Sequence, residues 1–259
     1  MEGTRARPLS INNFHLDISG SLDLDAATRR MNCGSSTKAV TRGGIFDSCQ
    51  VGMAKILNLS PKQIATMLAD KKVLDIGGGG AGLHYDLANI NEKSKGKIGL
   101  PEELIIGDLI YSVRDGWKAV EKALKAYHGK NITQRRKGRN GKVTTKKVLR
   151  LPDYFKNAGI PNTIGLDWNQ KFPFGDGYFD FAFLISPERL QDVSDVQQRG
   201  IPEMIRVLKE GGKGFFATSA SRLPRMSYEG VGSQKYIDRT LASSGDGKPV
   251  SMTVLELTK

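Results

Sequence analysis

The 259-residue chain has few residues of the kinds that build disulfide frameworks or metal sites. It contains two cysteines, Cys33 and Cys49, and three histidines that lie far apart in the sequence. Two cysteines are too few for a disulfide framework in a chain of this size, so we expect a reducing, cytoplasmic environment. The histidines show no metal-ligand spacing, so we expect no metal site.

Long hydrophobic runs are also lacking. No apolar stretch approaches the roughly 20 residues that a membrane-spanning helix needs. The basic residues near the amino terminus have no apolar core behind them. The sequence therefore predicts neither a membrane partner nor a secretory signal.

Acidic residues are almost absent from residues 113–150. This segment has 13 Lys or Arg residues, opposed only by Asp115 and Glu121, and so carries +11 of the chain's net charge of +12. The localisation indicates a basic insertion in a nearly neutral domain. The insertion is either a solvated face or a binding surface for nucleic acid or another polyanion. Its stretch 130–150 is predicted to be either a β-hairpin or a disordered loop.

Glycine is concentrated directly after one short apolar run. The stretch 72–82 reads KVLDIGGGGAG. Its apolar start predicts a buried strand, and the apolar residues of the following stretch, 81–90, share one helical face. Glycines between a strand and a helix provide a turn with positive φ, a loop that cradles phosphate, or a loop that lies close against another ligand.

Strand and helix patterns alternate along the rest of the chain. Strands are predicted at 102–112, 162–168, 178–186, 213–219 and 249–259, and helices at 115–129, 151–159 and 201–212; the pattern at 236–244 fits either. This alternation predicts an α/β fold, a Rossmann-like three-layer sandwich with helices on both faces of a sheet. The sheet is expected to be mostly parallel and seven-stranded, or slightly truncated.

The predicted domain organisation has two parts. Residues 71–259 are expected to form the catalytic domain, with the basic insertion at 113–150. Residues 1–70 are expected to form a helical or irregular cap, in which Ser60 and Pro61 begin a helix because serine is a good N-cap and proline suits the first helical position.

Ligands of open α/β sheets bind beyond the carboxyl ends of the strands. The first predicted strand ends in glycines, the second ends at Asp108, and the third ends at Asp167 and Trp168. An acid after the second strand can accept two hydrogen bonds from a ribose, and an acid beside an aromatic ring can bind an adenine. These residues predict a nucleoside site, without selecting the cofactor.

Four stretches resemble, in order, the motifs of class I S-adenosylmethionine-dependent methyltransferases. VLDIGGGGAG resembles the hydrophobic-Asp-x-Gly-x-Gly motif, and IIGDLIYS resembles the second-strand acid. GLDWNQKFPFGDGYFDFAFLIS resembles the third-strand acid followed by Pro-Phe and the fourth strand. IPEMIRVLKEGGKGFF resembles the entry to the fifth strand. The resemblance covers about residues 70–220, with Ala81 where the family has its third glycine.

The resemblance implies a methyltransferase that uses S-adenosyl-L-methionine and releases S-adenosyl-L-homocysteine. It implies that Asp75 orients the loop or approaches the donor's amino group, that Asp108 holds the ribose hydroxyls and that Asp167 binds the adenine amino group. The full set of implied cofactor-binding residues is Asp75, Gly77, Gly78, Gly79, Asp108, Leu109, Asp167, Trp168 and Ser186. Structural alternatives stay open: Asp108 as a solvated acid, Asp167 as a helix cap and Trp168 as a core residue.

The sequence names no catalytic residue, because methyl transfer from a sulfonium depends mainly on alignment of the reactants. The leading hypothesis is a small or medium-sized acceptor. One alternative is a nucleic-acid methyltransferase that uses the basic segment 113–150, although the fourth strand ends in ISPERL and lacks the Asn/Asp-Pro-Pro-aromatic motif of amino-directed base methyltransferases. Another is a methyltransferase-like binding protein without turnover. A nicotinamide enzyme is less consistent with the third-strand pattern.

Overall fold

A computed structural model describes residues 52–78, 81–108, 111, 133–137, 143–147, 161–185, 190–218, 224–242 and 249–259. The strands in these ranges are β1 Lys72–Ile76, β2 Glu103–Asp108, β3 Thr133–Lys137, β4 Val143–Lys147, β5 Asn162–Gly165, β6 Phe179–Ile185, β7 Leu208–Thr218, β8 Ser233–Ala242 and β9 Pro249–Thr258. The helices are α1 Met53–Leu57, α2 Pro61–Leu68, α3 Gly82–Lys93, α4 Leu190–Asp195 and α5 Ile201–Val207, with a π-helical turn at Val196–Gly200 between the last two.

Seven strands form one sheet in the order β5-β2-β1-β6-β7-β9-β8, while β3 and β4 form a separate two-stranded ribbon. Strands β5, β2, β1, β6 and β7 pair in parallel, and β9 is antiparallel to both of its neighbours. The parallel strands thus follow the 3-2-1-4-5-6 order of doubly wound folds, with one antiparallel strand inserted before the last. The predicted Rossmann-like fold with a seven-stranded, mostly parallel sheet is confirmed.

Helices cover both faces of the sheet. One hydrophobic cluster joins the sheet to α4, the π-helical turn and α5, and a second joins it to α1, α2 and α3. The central strand β6 serves both clusters, since Phe181 and Phe183 belong to one and Ala182 and Leu184 to the other. Burial on both faces is why this strand is a continuous apolar run.

Helix α2 begins where the sequence predicts. The Ser60 hydroxyl accepts the Gln63 backbone N–H at 3.2 Å, and the Gln63 side chain accepts the Ser60 backbone N–H at 2.8 Å. This capping box satisfies two backbone donors of the first turn. Helices α1 and α2 share a hydrophobic cluster with β1. Residues 1–51 lie outside the described part of the chain, so the predicted division at residue 70 stays a prediction.

Helix α5 is shorter than its sequence pattern predicts. The prediction placed the helix at 201–212, but it ends at Val207, and Leu208 is already extended with ψ 142°. The apolar period continues to Leu208, which is buried, so the pattern gives no sign of the end. Gly211, with φ +74°, lies inside β7 rather than at a helix terminus. The stretch 236–244 is a strand over its described part, and the helices predicted at 115–129 and 151–159 lie outside the described residues.

Arg206 holds the segment between β5 and β6 against α5. Its guanidinium donates to the carboxylates of Glu203 and Asp176 and to the backbone carbonyls of Phe172 and Phe174 at 2.6–3.1 Å. The side chain is 19% exposed. The planar guanidinium therefore acts as a structural clamp, meaning that it binds the segment between β5 and β6 to α5. This role accounts for the arginine in the stretch IPEMIRVLKEGGKGFF.

We expect Arg206→Lys to lower the free energy of unfolding by about 2–3 kcal/mol, since an ammonium cannot reproduce several fixed donors and leaves carbonyls without partners. Urea unfolding measures the change. Arg225→Lys is the matched control, because Arg225 is 66% exposed, pairs with the exposed Asp238 at 3.0 Å and lies over the Tyr236 ring at 5.9 Å, a contact that an ammonium can also make. That control should change stability by less than about 0.5 kcal/mol. Equal losses in both variants would contradict the clamp.

Candidate cofactor site

A tight glycine turn follows β1 at the carboxyl edge of the sheet. Gly77 has φ +73°, a conformation that favours glycine. Its N–H donates to the carbonyl of Gly107 on β2 at 2.6 Å. The Ala81 N–H then donates to the Gly78 carbonyl at 2.9 Å, and Ala81 itself, at φ 58°, precedes α3. This hydrogen bond links the end of the turn, at the start of α3, to Gly78.

Gly78 leaves no room for a side chain. A Cβ at this position would lie 2.6 Å from Cγ2 of Ile106 and 2.7 Å from Oδ2 of Asp75. Both distances are shorter than non-bonded carbon and oxygen atoms tolerate. The absence of a side chain at Gly78 thus allows the Asp75 carboxylate to lie directly beneath the turn.

Asp75 is a buried carboxyl group with an unsatisfied oxygen. The residue is 1% exposed, and its Oδ2 has no hydrogen-bond partner within the part of the chain that the structure describes. Burial raises the pKa of Asp75 well above its ordinary value, and the charge of Asp108 raises the pKa further. A buried carboxylate without a partner is costly. The position therefore favours either a protonated carboxyl or a bound group that donates hydrogen bonds or carries positive charge.

Asp108 lies at the end of β2, on the same face of the sheet as Asp75. In the β1–β2 register Asp75 is opposite Ile106, and Asp108 is two residues further along the strand. Residues two apart in a strand share a face. The backbone carbonyl of Asp108 accepts the Leu166 N–H at 3.3 Å, which ties β2 to the chain after β5. The sheet thus brings the two predicted carboxylates to one place.

Tyr111 belongs to this cluster, although no sequence motif predicts a role for it. Its ring packs against Ala81, Tyr85 and Ile106. Burial raises the pKa of the Tyr111 phenol, and the charges of Asp108 and Asp75 add to the effect. The phenol is therefore neutral at physiological pH. The sequence shows only an aromatic residue three positions after the acid that ends β2. It belongs to no hydrophobic period, so nothing in the pattern distinguishes it.

Asp167 and Trp168 occupy the turn after β5. Oδ1 of Asp167 accepts the Asn169 N–H at 2.9 Å, an Asx-type turn. No helix follows it in the described stretch 166–178, so Asp167 is a turn residue rather than the helix cap considered above.

Trp168 lies between the glycine turn and the π-helical turn. Its Cζ3 is 3.8 Å from the position of a Cβ on Gly77, and its own Cβ is 3.1 Å from that of a Cβ on Gly200. Trp168 also packs against the hydrophobic cluster. Trp168 thus packs against the core, as one interpretation has it, and its contact with adenine stays a prediction.

Five of the residues selected from the sequence approach one another at the carboxyl ends of β1, β2 and β5. They are Asp75, Gly77, Gly78, Asp108 and Trp168, with Asp167 beside them. Gly79, Leu109 and Ser186 lie outside the described residues. The cofactor contacts assigned to all nine stay predictions.

Two acids at other positions have structural roles. Glu103, at the amino end of β2, accepts the Tyr178 hydroxyl at 2.8 Å, at the edge of the sheet opposite the glycine turn. Asp180 accepts the Lys72 backbone N–H at 2.8 Å and the Lys209 ammonium at 3.0 Å. Among the described residues, no group of three His, Cys, Asp or Glu could hold a metal ion. No helix in the described ranges is long and apolar enough to cross a membrane.

We expect Asp75→Asn to gain stability relative to the wild type as pH rises. The native pKa of Asp75 is above its unfolded value, so the native state holds this proton more tightly. Wild-type stability therefore falls as pH rises from the unfolded pKa, about 3.9, through the native pKa. The amide does not titrate.

Urea unfolding at pH 4, 6 and 8 measures this difference. Between pH 4 and 8 we expect the variant to gain more than about 1 kcal/mol over the wild type, the usual scale of an unsatisfied buried polar group. Asp70→Asn is the control, since Asp70 is exposed in a surface turn. A difference that does not change with pH would show that the pKa of Asp75 is the same in the native and unfolded states, and would contradict the prediction.

No protein-family model matches the chain, and no curated protein sequence matches it. Several solved structures are similar. TrmN from Thermus thermophilus is 16% identical with a TM-score of 0.46, over 78% of this chain and 49% of that one. A mutant of the 16S rRNA (adenine(1408)-N(1))-methyltransferase from Catenulisporales acidiphilia is 15% identical with a TM-score of 0.42, over 77% and 93%. The [4+2]-cyclase SpnF is 12% identical with a TM-score of 0.38, over 76% and 57%.

The chain spans about half the length of TrmN. The strand order of this chain and the glycine turn after β1 define its architecture. The chain has a Rossmann-like α/β fold built on a seven-stranded, mostly parallel sheet.

Proposed function

We propose that the chain is an S-adenosylmethionine-dependent methyltransferase that binds its donor at the carboxyl ends of β1, β2 and β5. The observation that carries the proposal is the buried Oδ2 of Asp75, which lies beneath a glycine turn and has no hydrogen-bond partner among the described residues. A bound group that donates hydrogen bonds at this position would satisfy the oxygen and offset the cost of its burial.

The charge of the site favours a cationic ligand over a phosphate. Asp75 and Asp108 share one face of the sheet and raise each other's energy as anions. S-adenosylmethionine carries a sulfonium and an ammonium, and it has no phosphate. A nicotinamide dinucleotide would instead place a pyrophosphate beside the glycine turn, near two carboxylates. The residues present therefore fit the methyl donor better than a dinucleotide.

Each candidate site residue that the structure describes has a role in this proposal. Asp75 orients the turn or accepts from the donor's amino group, and Asp108 accepts from the ribose hydroxyls. Asp167 uses one carboxylate oxygen for Asn169 and has further acceptor capacity for an adenine amino group. Trp168 lies against Gly77 and would border the adenine. Gly77 and Gly78 supply the bare backbone that a close ligand needs.

The reaction requires little chemistry from the protein. The bound donor supplies a methyl group already activated by its sulfonium. The chain holds the acceptor in line with that group and excludes water, and alignment of this kind accounts for much of a rate enhancement. A general base is needed only for an acceptor that is protonated at neutral pH. The sequence-based hypothesis of a small or medium-sized acceptor remains the working one.

Calorimetric titration with S-adenosylhomocysteine tests the proposal without knowledge of the acceptor. We expect micromolar binding, and no binding of NAD at the same concentrations. Thermal unfolding of the same sample establishes that the protein is folded. A folded protein that binds NAD and not S-adenosylhomocysteine would overturn the proposal. A folded protein that binds neither would favour a methyltransferase-like protein that has lost its donor site.

A further inference from the structure

The ribbon formed by β3 and β4 has an unusual pairing of charges. Each of its five cross-strand pairs contains one cation and one uncharged residue. The pairs are Thr133 with Lys147, Gln134 with Lys146, Arg135 with Thr145, Arg136 with Thr144, and Lys137 with Val143. Like charges directly opposite each other destabilise antiparallel pairs. This register therefore accommodates five cations in ten residues without one direct repulsion.

The same register distributes the cations over both faces of the ribbon. Residues opposite each other share a face, and residues two apart along a strand share it as well. Arg135, Lys137 and Lys147 thus lie on one face, and Arg136 and Lys146 lie on the other. Along one strand of a face, successive positions are about 7 Å apart. Each face of the ribbon therefore has basic residues at regular positions in the register.

Neither strand contains the residues that pack a sheet against a core. Among the ten residues only Val143 is apolar, and none is acidic. An isolated two-stranded ribbon is marginally stable in water at best. The composition and the register thus indicate a surface for an anionic partner rather than a packing face.

We propose that the β3–β4 ribbon binds the phosphodiester backbone of a nucleic acid. A polyanion with regularly spaced charges complements regularly spaced cations on a two-faced ribbon, and release of its counterions drives such binding. Arginine matches phosphate geometry with paired donors, and the ribbon has two adjacent arginines, Arg135 and Arg136. The proposal concerns binding, and it holds for a nucleic-acid acceptor and for a smaller one alike.

Fluorescence anisotropy with a labelled 20-nucleotide single-stranded RNA tests the ribbon in the full chain. We expect the affinity to fall steeply between 50 and 200 mM salt. Changing Arg135, Arg136, Lys137, Lys146 and Lys147 to Gln should reduce the slope of log affinity against log salt by up to about 3.5, at roughly 0.7 per neutralised phosphate on a single strand. A duplex DNA of the same length, run in parallel, identifies which form of the backbone is preferred.

A matched control changes to Gln five exposed lysines that lie outside the ribbon: Lys62, Lys93, Lys95, Lys97 and Lys235. This variant has the same net charge as the ribbon variant. The ribbon variant should lose at least tenfold more affinity than the control. Equal losses would show that net charge alone attracts the nucleic acid, and would overturn the proposal.

A second variant guards against loss of the ribbon itself. Thr144→Glu with Thr145→Glu places a carboxylate opposite Arg136 and one opposite Arg135. Opposite charges stabilise cross-strand pairs, so this variant should retain the ribbon while losing phosphate binding. Unchanged RNA affinity in this variant would overturn the proposal, as would equal affinity of the wild type for polyglutamate. Titration of each variant with S-adenosylhomocysteine reads the donor site separately.

Discussion

Asp108→Ala is expected to weaken binding of S-adenosylhomocysteine by about 100-fold. The carboxylate lies at the end of β2, where a ribose diol would donate two hydrogen bonds to it. Hydrogen bonds to a charged acceptor contribute about 1.5–3 kcal/mol each. Two such bonds at the lower end of this range contribute about 3 kcal/mol, which corresponds to a factor of slightly more than 100 in the dissociation constant. Calorimetric titration of the wild type and the variant measures the ratio.

Two further variants make this test specific. Asp108→Asn retains one acceptor oxygen and should lose less affinity than Asp108→Ala. Glu102→Gln is the matched control, because Glu102 precedes the amino end of the same strand, at the opposite edge of the sheet. It should leave the affinity unchanged. If the affinity of Asp108→Ala for S-adenosylhomocysteine is within about threefold of that of the wild type, Asp108 does not bind the ribose. The cofactor contact assigned to β2 is then wrong.

The fold could be predicted from local pattern because its determinants are local. The run KVLDI, the glycines after it and the following helical stretch are adjacent in sequence, and they fold into β1, the turn and α3. The apolar run at 178–186 indicated a central strand because a strand buried on both faces needs no alternation. Alternating strands and helices then implied a mostly parallel sheet, whose carboxyl edge collects the strand-end residues.

The finer features depend on contacts between distant residues, which local pattern does not reveal. The burial of Asp75 arises from Gly78 above it and Ile106 on the next strand. The clamp made by Arg206 uses acceptors about 30 residues away. The boundary at Val207 is set by the pairing of Leu208 with Phe179, while the apolar period runs on without a break. Such features need the register between strands.

Gly78→Ala is expected to impair the candidate site more than a Gly→Ala substitution at any other described glycine. The new Cβ would lie 2.6 Å from Cγ2 of Ile106 and 2.7 Å from Oδ2 of Asp75, so the turn or both neighbours must move. Overpacking of this kind costs about 1–3 kcal/mol of stability. A displaced turn also loses the bare backbone that a close ligand needs, so donor binding should weaken as well. We expect both losses, measured by urea unfolding and by titration with S-adenosylhomocysteine.

Gly175→Ala is the matched control, because a Cβ at Gly175 would meet nothing within 4 Å. It should change neither stability nor binding by more than measurement error. The cause of the loss at Gly78 is then isolated by a double-mutant cycle with Ile106→Ala, which removes one of the two clashing groups. Contacting residues couple by about 0.5–3 kcal/mol. The double variant should therefore be less destabilised than the sum of the two single variants. If the two losses of unfolding free energy simply add, the Cβ at Gly78 does not clash with Ile106, because the turn has moved away from it. The clash with Asp75 alone would then account for the loss in Gly78→Ala.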